Sequence, residues 1–446
     1  MRGNHSLSVD FSAMRGRRLL IALSGGADSV ALACLLADAR EDCALDLAAA
    51  HLDHGIRPDS AEDAAYCREL CARLDIPFHT LRLDVPAEAA RAGEGLETAA
   101  RRLRYGWLRK VKEAAGAEYI ALAHHMDDQA ETVLMHLARG TGPEGVCGMR
   151  ERSGDLYRPL LGVRKRDLIE YLERRGVAWR EDGTNAVADT PRNALRLHGI
   201  PALEQSYPQA VPAIARFAQS AQIESDYIRE QTEAYIQRHA VPIPSGTWFG
   251  LFPGLHPAIL RRALRALSGN RLDWAHLNDA AALADSPRGR LELREGLRVE
   301  RGRDGLYLLD DRPGSSREVP LSPDGETALP DLCTLSARPC APAPVRDDAM
   351  SQALNPVALE GAVVRTRRPG DRFRPLGCGD RLLSDFLTDR KIDRPLRDCL
   401  ALVARGNRVL WVCGAGISED VRLTGAEPEA VRLECRYSFD MRRLLK

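Results

Sequence analysis

The sequence predicts an α/β protein whose N-terminal part is a doubly wound parallel sheet. Three observations carry that prediction. Short apolar runs alternate with helical stretches, as in successive strand–helix units. The first run, residues 19–23 (LLIAL), passes through a glycine-rich turn straight into a helix. The polar residues suited to chemistry gather just after the apolar runs, where ligands of such sheets bind. A small, mainly helical domain and a small C-terminal α+β domain are expected to follow. Composition sets the expected boundaries at 1–205, 206–310, a linker over 311–360, and 361–446.

Each element has its own signal. Residues 19–23 form a buried strand, and from Val30 the apolar spacing is helical. A second strand spans 46–52 (DLAAAHL) and leads into the polar segment 53–57 (DHGIR). A helix opens at Ser60 with acidic residues in its first turn, as the helix dipole prefers. Residues 78–83 and 118–123 give the third and fourth strands, separated by one long basic helix over 94–115. The next helix grows from His124 and ends near Arg139-Gly140. Residues 163–176 are an amphipathic helix with a glycine stop, followed by a turn at 182–185 (DGTN). Further on, 207–238 and 256–267 read as helices, and 289–293, 298–301 and 306–309 as strands. The stretch 311–357, rich in Pro, Ser, Asp and Ala, reads as a linker with stray strands.

A chain of 446 residues accommodates two or three cores. Its 63 basic and 63 acidic residues cancel, so any nucleic-acid contact has to come from local patches. The 11 cysteines are scattered and odd in number, which argues against a disulfide framework; Cys67 and Cys71 read as packing residues. There is no signal-peptide core, and no run nears the ~20 apolar residues a membrane helix needs. A cytoplasmic protein with no membrane partner is expected.

The turn after the first strand, Ser24-Gly25-Gly26-Ala27-Asp28-Ser29, is the chemical centre. Two glycines let an anion approach the backbone, and the following helix N-terminus favours it. A carboxylate there repels phosphate unless a divalent cation lies between them, so Asp28 points to a Mg-bound polyphosphate. The hexad has neither the lysine of a Walker loop nor the spacing of a dinucleotide turn. It resembles the PP-loop of the ATP pyrophosphatases, which release pyrophosphate while adenylating a substrate. A second cluster, 124–132 (HHMDDQAET), places Asp128 and Glu131 three apart on one helix face, with His124 leading in. Two acids and a histidine beside a nucleotide suit a cationic substrate or a share of Mg.

SGGADS, HLDHGIR, ETAARRLRY at 97–105, HHMDDQAET, the RG pair and the DGTN…RNALR…P spacing occur in one order. In that order they resemble the tRNA(Ile)-lysidine synthetases. The resemblance implies a Rossmann-like PP-loop domain that adenylates C2 of the wobble cytidine in a CAU anticodon, after which free lysine displaces AMP. It implies ATP on Ser24, Gly25, Gly26, Ala27, Asp28 and Ser29, with Asp28 also at Mg. Lysine falls to Arg104, His124, Asp128 and Glu131. Asp28, Asp128 and Arg192 are the expected catalytic residues, with Asn193 and Arg196 beside the tRNA nucleotide. The segment 363–374 (VVRTRRPGDRFR) resembles the family's C-terminal domain, and implies tRNA contacts from Arg365, Arg367, Arg368, Arg372 and Arg374. Downstream, the family's lysine-rich stretch is replaced around Arg381, Leu382 and Ser384. The partners implied are tRNA(Ile) and free lysine, and a homodimer is left open. Three other readings compete: a PP-loop tRNA thiolase, for which C-x-x-C pairs are lacking; a glutamine-dependent amidating synthetase, for which no cysteine nucleophile elbow is visible; and a non-catalytic tRNA-binding relic, which intact Asp28 and the cluster of Asp127, Asp128 and Glu131 oppose.

Overall fold

Strand β1 (Arg18–Ala22) is apolar on both faces and therefore lies inside a sheet: Leu19, Leu20 and Ile21 are all fully buried. With β2 (Asp46–Asp53), β3 (Phe78–Arg82) and β4 (Tyr119–Ala121) it forms a parallel array in the order β3-β2-β1-β4. A hairpin of β5 (Arg152–Ser153) and β6 (Leu156–Tyr157) extends this sheet, with β6 parallel to β4. The computed structural model describes residues 7–53, 60–180, 190–310, 318–342 and 348–445. The chain packs as two units, Met1–Asp226 and Tyr227–Lys446.

In the first unit, helices α1 (Ala27–Asp38), α2 (Ser60–Arg73), α3 (Val85–Ala92), α4 (Leu96–Ala114), α5 (Met126–Ala138) and α6 (Lys165–Arg175) connect the strands. Alternation along β1 decides which face each helix covers. Leu19 and Ile21 share a core with Val30 of α1, Cys67 and Leu70 of α2, and Leu168 and Leu172 of α6. Leu20 faces the other way, with Ala48, Ala50, Ile120 and Leu122, onto Leu108 and Val111 of α4. The sheet is thus covered on both faces, as a doubly wound fold requires. One element of this unit was not expected. The helix expected over 94–115 is α4 as it stands; the unanticipated element is the separate α3 before it, which Asp84 caps by accepting the Ala87 N–H at 3.0 Å. Gly93, with φ +65°, ends α3 in the left-handed conformation.

Beyond α6 come α7 (Pro191–Ala194), a π-helical turn over Leu195–Gly199, α8 (Ile200–Ser206) and the long α9 (Ala210–His239). The expected segments 54–57 and 182–185 lie outside the described residues.

The second unit opens with a helix-rich portion that also carries a five-stranded antiparallel sheet. Its strands β7 (Ala240–Ile243), β8 (Gly246–Gly250), β9 (Gly289–Glu292), β10 (Leu297–Arg301) and β11 (Gly305–Asp310) run in the order β7-β8-β11-β10-β9. The linker expected over 311–360 is corrected. Residues Gly325–Leu329, Cys333–Cys340 and Ser351–Leu354 pair, with Ala430–Tyr437, into a four-stranded sheet, and Glu318–Pro320 edges a seven-stranded one. Buried Cys333, Leu335 and Ala337 alternate with part-exposed Thr334 and Ser336, a strand period masked by the Pro- and Ser-rich surroundings. The boundary expected at 310 does not break the packing either. Trp248, Tyr307 and Leu309 share one core with Leu335, Phe386 and Trp411. Among the described residues no helix is long and apolar enough to cross a membrane.

Candidate active site

The turn between β1 and α1 is shaped by its own side chains. Gly25 has φ +90°, a conformation that side chains other than glycine rarely adopt. Ser29 Oγ donates to the Gly26 carbonyl at 3.0 Å, accepts the Ser24 N–H at 3.1 Å and meets the Ser24 hydroxyl at 3.0 Å. Ser29 is therefore buried and committed to the loop, whereas Ser24 is exposed. Gly26 is the N-cap of α1, so the first N–H groups of that helix lack intrahelical acceptors and remain open to an anion. The Gly25 carbonyl accepts the Arg180 N–H at 2.9 Å, and Arg180 pairs with Asp63 and Glu62 of α2.

Asp28 lies in the first turn of α1. Its Oδ1 is buried without a hydrogen-bond partner, and its Oδ2 is 3.6 Å from His125 Nε2. Burial pushes this carboxyl up, but His125, Lys165 and Arg196 outweigh burial and hold it below the usual range.

His125 is the residue that sequence reasoning passed over in favour of His124. As N-cap of α5 it accepts the Asp128 N–H on Nδ1 at 3.3 Å, while Asp128 Oδ2 accepts the His125 N–H at 3.1 Å. The His-x-x-Asp spacing is a capping box, and that signal could have found it. Its Nε2 faces Asp128 Oδ2 at 3.4 Å as well as Asp28. Burial alone would lower the imidazole, but the surrounding Asp28, Asp128 and Asp127 raise it above the ordinary histidine value. One ring thus joins the starts of α1 and α5.

Asp127 is spent on architecture, accepting from Arg164 and from the Lys165 N–H that starts α6. Asp128 and Glu131, both buried, share a face as expected and are gripped by two guanidiniums. Arg192 Nε donates to Glu131 at 2.7 Å and its Nη2 to Asp128 at 3.0 Å. Arg196, in the π turn, donates to Glu131 at 2.7 and 3.0 Å and to Asp128 at 3.3 Å. Arg192 and Arg196, expected beside the nucleotide, thus lie on the acid pair expected to receive lysine. Asn193 supplies the backbone N–H that caps α7 on Thr190 at 3.2 Å. His124 is held neutral, its imidazole pushed down to about 4 by burial, then by Arg158, Arg192 and Arg104, against the pull of Asp128. Arg104 reaches this corner from α4, its guanidinium 5.6 Å from the Tyr105 ring.

In the second unit the expected arginine cluster divides. Arg365 is 1% exposed and binds Asp371 through two parallel hydrogen bonds of 2.9 and 2.7 Å. It is a structural residue with no surface for RNA, a correction forced by the burial of strand Val363–Arg365. Arg367, Arg368, Arg372 and Arg374 do lie on the surface, each beside a carboxylate: Asp398, Glu318, Asp380 and Asp420.

A strand, a glycine turn at a helix N-terminus with a carboxylate whose Oδ1 has no partner, and an acid pair at the neighbouring strand end suit an ATP-utilising enzyme of the PP-loop class. The PP-loop domain profile matches residues 4–203, and the profile described as TilS substrate C-terminal domain matches 362–435. The tRNA(Ile)-lysidine synthase of Thermus thermophilus is 37% identical over 89% of this chain and 68% of its own length. That of Geobacter sulfurreducens is 33% identical over 92% and 91%, and that of Symbiobacterium thermophilum 35% identical over 94% of each. The chain belongs to the tRNA(Ile)-lysidine synthase family, and it is a ligase.

Proposed function

We propose that this enzyme joins free lysine to C2 of the wobble cytidine of a cytoplasmic tRNA(Ile) with a CAU anticodon. ATP first adenylates the cytidine and pyrophosphate leaves. The ε-amine of lysine then attacks C2, the bond from C2 to the AMP oxygen breaks, and the nitrogen gives up its proton as AMP departs. The observation that carries the reading is the single His125 ring that connects Asp28 in the PP-loop with Asp128 in the acid pair.

The residues present fit a Mg ion. Asp28 offers a buried, unpartnered Oδ1, and among the described residues no group of three ligating side chains competes for a metal. A cation held by one carboxylate, phosphate oxygens and water suits Mg, which when bound offsets charge on the departing pyrophosphate. Ser24 and the open N–H groups of α1 orient the phosphates. Asp128 and Glu131 take the lysine ammonium once Arg192 or Arg196 shifts onto the phosphate of the adenylated cytidine, an anion that a guanidinium binds in a fork. Arg367, Arg368, Arg372 and Arg374 hold the tRNA backbone.

Labelled ATP tests the order of events. Pyrophosphate release should require tRNA, and AMP release should require lysine as well. Asp28→Asn should abolish the first, because it removes the metal-facing charge. Lysine-independent AMP release, or an anticodon nucleoside whose mass shows no added lysine, would sink the reading.

A further inference from the structure

Helix α6 stops at Gly176 in the left-handed conformation, and the chain continues over residues 177–180 as a strap that is neither helix nor strand. Val177 and Trp179 pack against the core on the α1 side of the sheet. Between and after them come two backbone contacts. The Tyr66 hydroxyl donates to the Ala178 carbonyl, and the Arg180 N–H donates to the Gly25 carbonyl at 2.9 Å. The strap thus lies against the PP-loop itself.

The Arg180 side chain holds the strap from the other end. Its Nε donates to Asp63 Oδ1 at 2.9 Å and its Nη2 to Glu62 Oε2 at 2.8 Å. Asp63, Tyr66 and Cys67 share one face of α2 by their three- and four-residue spacing. A Cβ placed on Gly25 would lie 3.4 Å from Cys67 Sγ and 3.7 Å from both Tyr66 and the Arg180 Cγ. One face of α2 and the strap therefore hold Gly25 between them. Partly exposed ion pairs contribute little to stability by themselves, so their weight lies in what they hold.

A trans peptide unit is planar, and its carbonyl and N–H point in opposite directions. With the Gly25 carbonyl tied to the strap, the N–H of Gly26, in the same unit, is aimed away from it. Among the described residues that N–H has no acceptor. Neighbouring groups are spent inside the turn: Ser29 Oγ binds the Ser24 N–H and the Gly26 carbonyl, and the Gly26 carbonyl also accepts the Val30 N–H. The strap thereby leaves one oriented donor at the N-cap of α1, where the helix end already favours an anion.

We infer that Arg180 is a positioning residue for ATP. Its backbone N–H fixes the Gly25–Gly26 peptide so that the Gly26 N–H meets the pyrophosphate portion of the nucleotide, and its guanidinium locks the strap onto α2. Arg180 acts only through the glycines. The role deepens the proposed function and rests on its ATP step, not on the amine that follows.

The full chain, with tRNA, lysine and Mg, is assayed for pyrophosphate release from labelled ATP, and calorimetry measures its binding of Mg-pyrophosphate and of AMP, which lacks the two phosphates that leave. Arg180→Ala removes the guanidinium and keeps the N–H; Arg180→Pro removes both. Arg180→Ala should raise the KM for ATP roughly two- to tenfold, the worth of one neutral hydrogen bond, and Arg180→Pro roughly ten- to a hundredfold, the worth of one to a charged group. The Kd of pyrophosphate should rise by the same factor in each variant and that of AMP should not move, while Arg180→Lys should recover part of the loss. If Arg180→Pro does not fold, Arg180→Ala and Asp63→Asn decide, and both should weaken ATP and pyrophosphate together. Pyrophosphate binding that is unchanged in the folded variants overturns the positioning role. An equal weakening of AMP overturns it too, as the mark of a site loosened throughout, and so does a lowered urea midpoint with unaltered ATP kinetics. A wild type that releases no pyrophosphate overturns the proposed function instead, and the calorimetry still judges Arg180.

Discussion

A histidine held neutral inside a charged corner makes the fold sensitive to acid. His124 titrates near 4 in the folded chain and near 6.5 when exposed, so between those values the unfolded chain binds a proton that the native one refuses. Stability should therefore fall as pH drops from 6.5 to 4, by up to about 3 kcal/mol from this residue. Urea unfolding of the first unit at pH 7 and pH 4.5, followed by limited proteolysis, should show a smaller acid loss in His124→Gln than in the wild type. An equal loss would mean that His124 is not the buried titrant. At this scale the sequence made Asp28, Asp128 and Glu131 legible because their spacing carries chemistry. His125 was legible only as a cap, and Arg180 not at all, since the strap that carries it is neither helix nor strand and has no period. Arg365 misled because exposed and buried arginines read alike until the strand beneath them is placed.

Among the elements, the four parallel strands of the first unit were legible from unbroken apolar runs, and their bounds moved by a residue or two. Short strands in polar company were not. Strand Cys333–Cys340 offers the plainest test, because Leu335 is 1% exposed in the core where a linker residue would be solvated. Leu335→Ala should cost about 2–5 kcal/mol, as truncations of buried leucines do, against a few tenths for a linker position. A urea midpoint for the second unit unchanged by Leu335→Ala would restore the linker reading. Packing also explains why composition misplaced the boundary at 310. Tyr307 and Leu309 of β11 share their core with residues as far along the chain as Leu433 and Met441, and no local pattern announces such partners.

For the whole molecule the decisive quantity is how its balanced charge is arranged. Arg367, Arg368, Arg372 and Arg374 would supply the proposed RNA surface, yet each already faces an acid. Replacing all four with Gln should weaken tRNA binding at low salt and flatten its dependence on salt, with ATP binding kept. Filter binding across a salt series would show it, and an unchanged slope would remove this surface from the interface. The pairing has a consequence of its own. A protein with bare arginines frees one small cation from the nucleic acid for each phosphate it covers. Here every docking phosphate would evict a carboxylate that is tethered to the chain and cannot diffuse away. Stranded on the surface, that carboxylate gathers cations back from solution. The slope against salt should then count fewer ions than there are phosphates in contact, so the enzyme would hold its RNA by an exchange of anions that the surrounding electrolyte only partly sees.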